Sequence, residues 1–382
     1  MSPPPSTTRV IELTPAGRAA VAVVLVAGPE AVAIVDKCVH RRDDRGLREF
    51  PVNRILVGRW GSPGGEELLI CRRSADRVEI HCHGGTAAIR GVIDRLRELG
   101  CQPIHWQDWL QETAADPICA AAQVALAEAP TARTAAVLLD QFYGALASAL
   151  RAALDAVAAG DWPTATLALD AILAQRGVGL HLTRPWRVVL AGRPNVGKSS
   201  LMNALVGFQR AIVCDLPGTT RDVVTATTAI DGWPIQLADT AGLRETRDEI
   251  ESAGVERAAA AVGDADLVLL VDDALADDPL AQDEIAVPAR ALVLRVLNKI
   301  DLPHALPAAA DRRFDVRTSA VTGEGIATLV AAIGTALVPA PPAAGAAVPF
   351  MMEQVERLDA ALAATRRHDA DVALSSLRLL IG

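Results

Sequence analysis

Strand-length apolar stretches and helix-length periodic ones succeed each other along the chain. Residues 8–28 read as two strands around a turn at Thr14-Pro15-Ala16-Gly17, and residues 31–40 space their apolar positions as a helix does. Further strand-like pieces fall at 54–57, 67–71 and 78–81, with a helix after His83-Gly84-Gly85. From 107 to 183 this pattern gives way to Ala and Leu at helical spacing, as at Ala145, Ala149, Ala152 and Leu154. From Trp186 strands alternate with helices, the pattern of a parallel α/β sheet. After a Pro/Ala linker at 339–349, residues 350–380 read as one more helical stretch. The predicted architecture is α/β with a small α+β N-terminal domain at 1–104. A helical domain follows in two parts, 105–183 and 339–382, and an α/β domain at 184–338 is inserted between them.

Composition agrees with that division. A chain of 382 residues exceeds one ordinary core, and 51% hydrophobic with 22% charged residues is a globular balance. Pro339, Pro341 and Pro342 interrupt the apolar stretch at 329–349, so no membrane span is expected. Met1-Ser2-Pro3-Pro4-Pro5 opens without a basic region before an apolar run, so no export signal is read. Six cysteines without paired spacing suit a reducing cytoplasm. His81-Cys82-His83 does not read as a metal site, because neighbours on a strand point to opposite faces. The net charge of −9 speaks against DNA as a partner; contact with RNA requires a local arginine cluster or a partner protein. Lysine is scarce. Lys37, Lys198 and Lys299 are the only three, and two of them fall in the motifs that follow.

The chemistry lies in the α/β part. A strand at 187–191 runs into Gly192-Arg193-Pro194-Asn195-Val196-Gly197-Lys198-Ser199, a phosphate-binding loop in its strand-to-helix setting. Glycines let the backbone wrap a polyphosphate, whose charge meets N–H groups and the helix N-terminus. Asn195, Val196, Gly197, Lys198, Ser199 and Ser200 are the phosphate-binding candidates. Lys198 serves the β- and γ-phosphates and catalysis, and the Ser199 hydroxyl suits Mg²⁺. Asp239-Thr240-Ala241-Gly242 ends the strand at 234–238, after a hairpin turning at Asp231-Gly232. Asp239 can hold Mg²⁺ through water, and the Gly242 N–H can meet the γ-phosphate. Gly218-Thr219-Thr220-Arg221-Asp222 lies where a switch threonine completes the Mg²⁺ shell.

Asn298-Lys299-Ile300-Asp301 follows a strand at 292–297. A carboxylate at Asp301 accepts two hydrogen bonds from guanine N1 and N2, a pair that adenine does not offer. Thr318-Ser319-Ala320 follows a strand at 314–317, and a backbone N–H at Ser319 or Ala320 can reach guanine O6. Five motifs in order at strand ends predict a P-loop, Ras-like G domain that binds GTP and GDP with Mg²⁺. Leu243 stands where Ras-type enzymes carry a water-orienting glutamine, so hydrolysis requires another group.

Asn195, Gly218-Thr219-Thr220-Arg221-Asp222, and Asp239 through Glu245 followed by Glu251 resemble the MnmE (TrmE) family of tRNA modification GTPases. The resemblance is close over 184–338. It extends to Thr14-Pro15-Ala16-Gly17-Arg18 and His83-Gly84-Gly85, and it fades in the helices. It implies a folate-binding N-terminal domain joined to a helical domain that carries the G domain. It also implies GTP hydrolysis when two G domains of a homodimer meet across K⁺, and action with a flavin-dependent MnmG partner on the wobble uridine of certain tRNAs. By position, it implies that Asn195 ligates K⁺ through its side-chain oxygen, with the carbonyls of Cys214 and Leu216 and with Thr219 completing the cage. K⁺ would there compensate for an absent arginine finger. It puts Thr220 beside Ser199 on Mg²⁺ and makes Glu251 the group that orients the attacking water. A solvated helix acid is the ordinary alternative for Glu251.

Outside the nucleotide motifs the sequence departs from the family. The folate-contacting arginine and glutamate that the resemblance implies fall at Leu25 and Ala75, which counts against a 5-formyl-tetrahydrofolate site. The family's Gly-Glu-Phe…Asn-Gly-Lys stretch is not recognisable around 105–120. The sequence reads Leu380-Ile381-Gly382 where the family carries Cys-x-Gly-Lys, so the reading expects the modification centre to differ as well. Two functional expectations result. One is a K⁺-stimulated, Mg²⁺-dependent GTPase acting in tRNA wobble-uridine modification; the other is a divergent GTP-dependent regulatory or assembly switch without the one-carbon chemistry. A GTP-binding module without hydrolysis is a third.

Overall fold

The run Val21–Ala27 has apolar side chains on both faces, and from Val24 onward both faces are buried. In the computed structural model, which describes residues 7–15, 19–41, 45–208, 225–239, 263–273, 291–303 and 313–381, this run is strand β2. It pairs antiparallel with β1 (Arg9–Glu12) and with β6 (Arg77–His83). The two-residue β3 (Val39–His40), then β4 (Ile55–Trp60) and β5 (Glu67–Arg72), extend the β6 side by antiparallel pairing, and the two-residue β7 (Gln102–Pro103) pairs parallel with β1. The sheet order is β3-β4-β5-β6-β2-β1-β7.

Helices α1 (Ala31–Cys38) and α2 (Thr86–Glu98) lay Val32, Val35, Val92 and Leu96 against Val24, Val26 and Ile80. Residues alternating with these on the strands, Ile11, Leu25 and Ala27, are buried instead with Ile104, Trp106 and Trp109. Both tryptophans belong to α3 (Trp106–Thr113), which therefore packs within the first of two compact units, Met1–Ala115 and Asp116–Gly382. The boundary between the compact units lies beyond α3, whereas the sequence division starts the helical domain at 105.

The histidines of β6 face away from its core. Cys82 between them is buried, His83 Nδ1 lies 2.8 Å from Glu66 and His81 Nε2 lies 3.3 Å from Glu79. Burial pushes the Glu79 carboxyl up, but Arg73 at 2.7 Å together with His81 outweighs it and holds the group below its ordinary value. Among the described residues no cluster of three or more His, Cys, Asp or Glu is placed to hold a metal ion.

The second unit opens with α4 (Pro117–Ala127), α5 (Ala132–Phe142), α6 (Ala145–Ala158), α7 (Trp162–Leu173) and the short α8 (Arg176–Gly179). Asp116, Thr131 and Asp161 start three of them by accepting hydrogen bonds from first-turn N–H groups. The sheet that follows is built from β8 (Trp186–Ala191), β9 (Thr225–Ile230), β10 (Trp233–Asp239), β11 (Leu267–Asp273), β12 (Leu292–Asn298) and β13 (Val316–Arg317). Helices α9 (Lys198–Phe208) and α10 (Ile326–Leu337) belong to the same part.

The order of this sheet is β13-β12-β11-β8-β10-β9, with every neighbouring pair parallel except β9–β10. Trp233 pairs with Ile230, leaving Asp231 (φ 50°) and Gly232 (φ 76°) as the two-residue turn that Asp-Gly predicts. Strand β8 lies between β10 and β11; the chain leaves β8 toward β9 and β10 and leaves β11 toward β12, so a crevice opens between the carboxyl ends of β8 and β11.

Residues 350–380 form two helices, α11 (Met352–Arg366) and α12 (Ala370–Ile381), rather than a single stretch. His368 takes φ 57°, the Asp369 N–H returns to the Ala364 carbonyl at 3.0 Å, and the Asp369 carboxylate accepts from the Val372 N–H at 3.2 Å. One residue thus closes the first helix and caps the second. Helix α11 packs on α7 and α12 on α6, so Leu150, Leu169, Leu358 and Leu377 share one core. No helix of the described residues is long and apolar enough to cross a membrane.

His181, just past α8, stacks on Trp186 of β8 at 3.5 Å between ring centroids, and its Nε2 lies 3.3 Å from Asp266. Burial pushes the Asp266 carboxyl up, but His181 and the Arg187 N–H outweigh it and leave the group below its ordinary value. A lowered carboxyl contributes stability above its unfolded value and loses it as pH falls through the acid range. Asp266→Asn is therefore expected to cost about 1 kcal/mol at neutral pH. The difference from the unsubstituted chain should shrink toward acid pH in denaturant melts, and a constant difference would contradict this role.

Candidate nucleotide site

The carboxyl end of β8 runs into the glycine-rich loop, and two glycines there are dictated by space. At Gly192 (φ 151°) a Cβ would stand 2.1 Å from the Val271 carbonyl oxygen of β11. At Gly197 (φ 94°) it would stand 2.5 Å from the Asn298 side-chain nitrogen. Between them Asn195 also takes a positive φ of 65°. Its side chain is exposed, while Val196 is buried beneath the loop. Ser199 and Ser200 lie in the exposed first turn of α9, whose N-terminus carries partial positive charge.

Lys198 is only 4% exposed. Burying an ammonium is costly unless it is hydrogen-bonded, and its Nζ donates to the carbonyls of Gly192 at 3.0 Å and Arg193 at 2.8 Å. The charge therefore sits inside the curl of the loop. Ser199 Oγ donates to the Asp239 carboxylate at 2.6 Å, joining the start of α9 to the end of β10. Asp239 is 1% exposed. A hydroxyl beside a buried carboxylate is a hard-oxygen pair, the donor chemistry that Mg²⁺ takes.

The end of β12 carries the other half. Asn298, 1% exposed, donates from Nδ2 to the Val196 carbonyl at 2.9 Å. Its Oδ1 accepts from the Ala320 N–H at 3.3 Å and the Thr318 hydroxyl at 3.2 Å. This one amide ties the phosphate loop to the segment after β13. Lys299 (φ 62°) donates to the Asn195 carbonyl at 2.5 Å and to Asp273 at 2.9 Å. Asp301 accepts from the Ser319 hydroxyl at 2.6 Å, and Ser319 Oγ in turn accepts from the Thr322 N–H at 3.1 Å.

The structure thus brings Asn195, Val196, Gly197, Lys198, Ser199, Ser200, Asp239, Asn298, Lys299, Asp301, Ser319 and Ala320 to one end of the sheet. Thr219, Thr220, Gly242, Glu251, Cys214 and Leu216 lie outside the described residues. One contributor escapes a motif reading: Asp273 at the end of β11 holds Lys299. It has no local signal, because it acts across neighbouring strands. Thr318, fully buried within the Thr318-Ser319-Ala320 motif, holds Asn298. The glycine-rich loop and the Asp301 carboxylate, 2.6 Å from the Ser319 hydroxyl, thus stand at one end of the sheet, with the Asn298 amide joining the loop to the segment after β13.

The folate positions stand apart from such chemistry. Leu25 is 4% exposed in the apolar cluster with Trp106 and Trp109, and Ala75 is a turn residue without a polar side chain. These residues offer neither donor nor charge, and they do not fit a reduced folate.

Residues 187–299 match the family model described as 50S ribosome-binding GTPase. The tRNA modification GTPase MnmE of Nitratidesulfovibrio vulgaris strain DP4 is 35% identical over 394 aligned positions, covering 91% of this chain and 86% of that protein. The protein of the same name from a Synechococcus strain is 35% identical over 86% of this chain and 82% of its own length. That of Symbiobacterium thermophilum is 33% identical over 84% and 80%.

Proposed function

The chain belongs to the MnmE family of tRNA modification GTPases, and on that premise we propose that it hydrolyses GTP in a Mg²⁺-dependent, K⁺-stimulated manner and acts in modification of the wobble uridine of tRNA. The observation that carries the nucleotide part is the Asn298 amide, which locks the phosphate loop to the base-reading segment and so fixes both ends of one groove. Ser199 and Asp239 would hold Mg²⁺, and Lys198 would hold the β- and γ-phosphates. The bound metal ion would neutralise charge developing on the phosphoryl oxygens. Asn195, at the rim with its side chain exposed, would supply an oxygen to K⁺. Cys214, Leu216, Thr219, Thr220, Gly242 and Glu251 complete the proposal as the K⁺ cage, the switch threonine, the γ-phosphate amide and the water-orienting acid.

In this reading the G domain, 184–338, works between the helical segments and pairs with that of a second copy, with a flavoprotein as partner in the tRNA chemistry. Turnover of GTP by the full chain, measured in KCl and NaCl at equal ionic strength, tests it. K⁺ should raise the rate by on the order of tenfold or more, as expected when one positive charge is supplied to the transition state. Equal rates in the two salts would contradict the K⁺ role. A second reading, a GTP-dependent switch without one-carbon chemistry, is favoured by the burial of Leu25 beneath the α3 tryptophans. Wobble uridines left unchanged on deletion of the gene would select it.

A further inference from the structure

Among the described residues, five other than glycine take a left-handed backbone: Asn53, Asn195, Asp231, Lys299 and His368. Such backbone is strained, persists only where its surroundings hold it, and clusters at functional sites. Asp231 and His368 belong to a hairpin turn and a helix end, and Asn53 lies in the first unit. The other two meet. Asn195 (φ 65°) and Lys299 (φ 62°), 104 positions apart, share one hydrogen bond, from the Lys299 ammonium to the Asn195 carbonyl.

The end of β11 supplies the third member. Asp273 pairs in register with Asn298, the residue before Lys299, and its Oδ2 accepts from the Lys299 ammonium at 2.9 Å. The side chains of Asp273 and Lys299 are 16% and 29% exposed, so water has limited access to the contact. The neighbouring Asp272, 1% exposed, lies 3.8 Å from the Arg193 guanidinium. Successive residues of a strand point to opposite faces. The end of β11 therefore meets the phosphate loop at two places, at Arg193 directly and at Asn195 through Lys299.

An ammonium carries three donors on a flexible stem, so a single acceptor does not fix where it points. Two fixed acceptors do. With the carboxylate on one side, Lys299 turns another N–H to the Asn195 carbonyl and holds that turn of the loop. Charge works in the same direction, because a carboxylate beside the ammonium lowers the positive field at Asn195, where a bare ammonium would repel a second cation. We propose that Asp273 is a positioning residue of the GTPase reaction: through Lys299 it fixes the Asn195 turn of the phosphate loop, and with it the side-chain oxygen offered to K⁺. The K⁺ part rests on the proposed function, whereas the loop part rests on these contacts alone.

The test titrates the full chain and three variants, Asp273→Ala, Lys299→Met and the two combined, with N-methylanthraniloyl-GDP. Asp273→Ala should weaken binding by about tenfold, the scale of one hydrogen bond between charged groups. The combined variant should bind no more weakly than Lys299→Met alone, because Asp273 then has nothing to position. Asp273→Asn, of the same shape, should show the same pattern in weaker form and takes the place of the alanine variant if that one unfolds. Turnover at saturating GTP, followed across a K⁺ series at constant ionic strength, should need about threefold more K⁺ for half-saturation in Asp273→Ala. Unchanged GDP affinity in the Asp273 variants would overturn the inference. So would an equal loss on the Lys299→Met background, which marks general weakening of the sheet. Weaker GDP binding with an unchanged K⁺ midpoint would overturn the link to the cation. Equal turnover in K⁺ and Na⁺ by the unsubstituted chain would instead end the K⁺ part of the proposed function, and the GDP cycle would still decide the role of Asp273.

Discussion

Replacing Asp301 by asparagine is expected to lower affinity for GTP by on the order of 10⁴-fold and to create a preference for xanthosine triphosphate. In the proposed site the carboxylate would accept from the two neighbouring N–H groups of guanine, whereas an amide would present a donor to one of them and leave that contact unpaired. Xanthine carries a carbonyl where guanine carries its amino group, so the amide nitrogen finds an acceptor there. The substitution should leave the fold intact, because Asp301 is exposed and the Ser319 hydroxyl can still donate to the amide oxygen. Competition of labelled GTP against both triphosphates reads the result. Undiminished preference for GTP would mean that another group reads the base.

Lys198→Ala should lower the turnover rate by on the order of 10²- to 10³-fold, the range seen when one preorganised donor is removed from developing oxyanion charge. The ammonium sits 2.8 and 3.0 Å from two loop carbonyls and is almost fully buried, so it cannot be replaced by solvent. Lys198→Arg should rescue little. A planar guanidinium is broader than the curl between Gly192 and Lys198 admits, and its fork does not match two carbonyls of a tight turn. Single-turnover measurements at saturating GTP separate the lost rate from lost binding. Restoration of full activity by arginine would contradict the steric argument.

Legibility followed locality. The phosphate loop could be read because its glycines, lysine and serine have fixed spacing, and the Asp231-Gly232 hairpin because two residues determine its turn. What the sequence hid was set by distant chain segments. Trp106 and Trp109 have helical spacing, but it is the second face of β2 that decides where their helix packs. Asp273 matters to the site only because β11 pairs with β12 in a register that brings it to Lys299. The break at His368 had a local signal, an aspartate ahead of Ala370, which the Ala/Leu periodicity outweighed.

The proposed function turns on one site that binds guanine nucleotides. Titrating the full chain with GTP, GDP and ATP in Mg²⁺ by calorimetry tests it directly. The account predicts saturable one-to-one binding of both guanine nucleotides and no measurable heat from ATP over the same range. Equal affinity for ATP would contradict it.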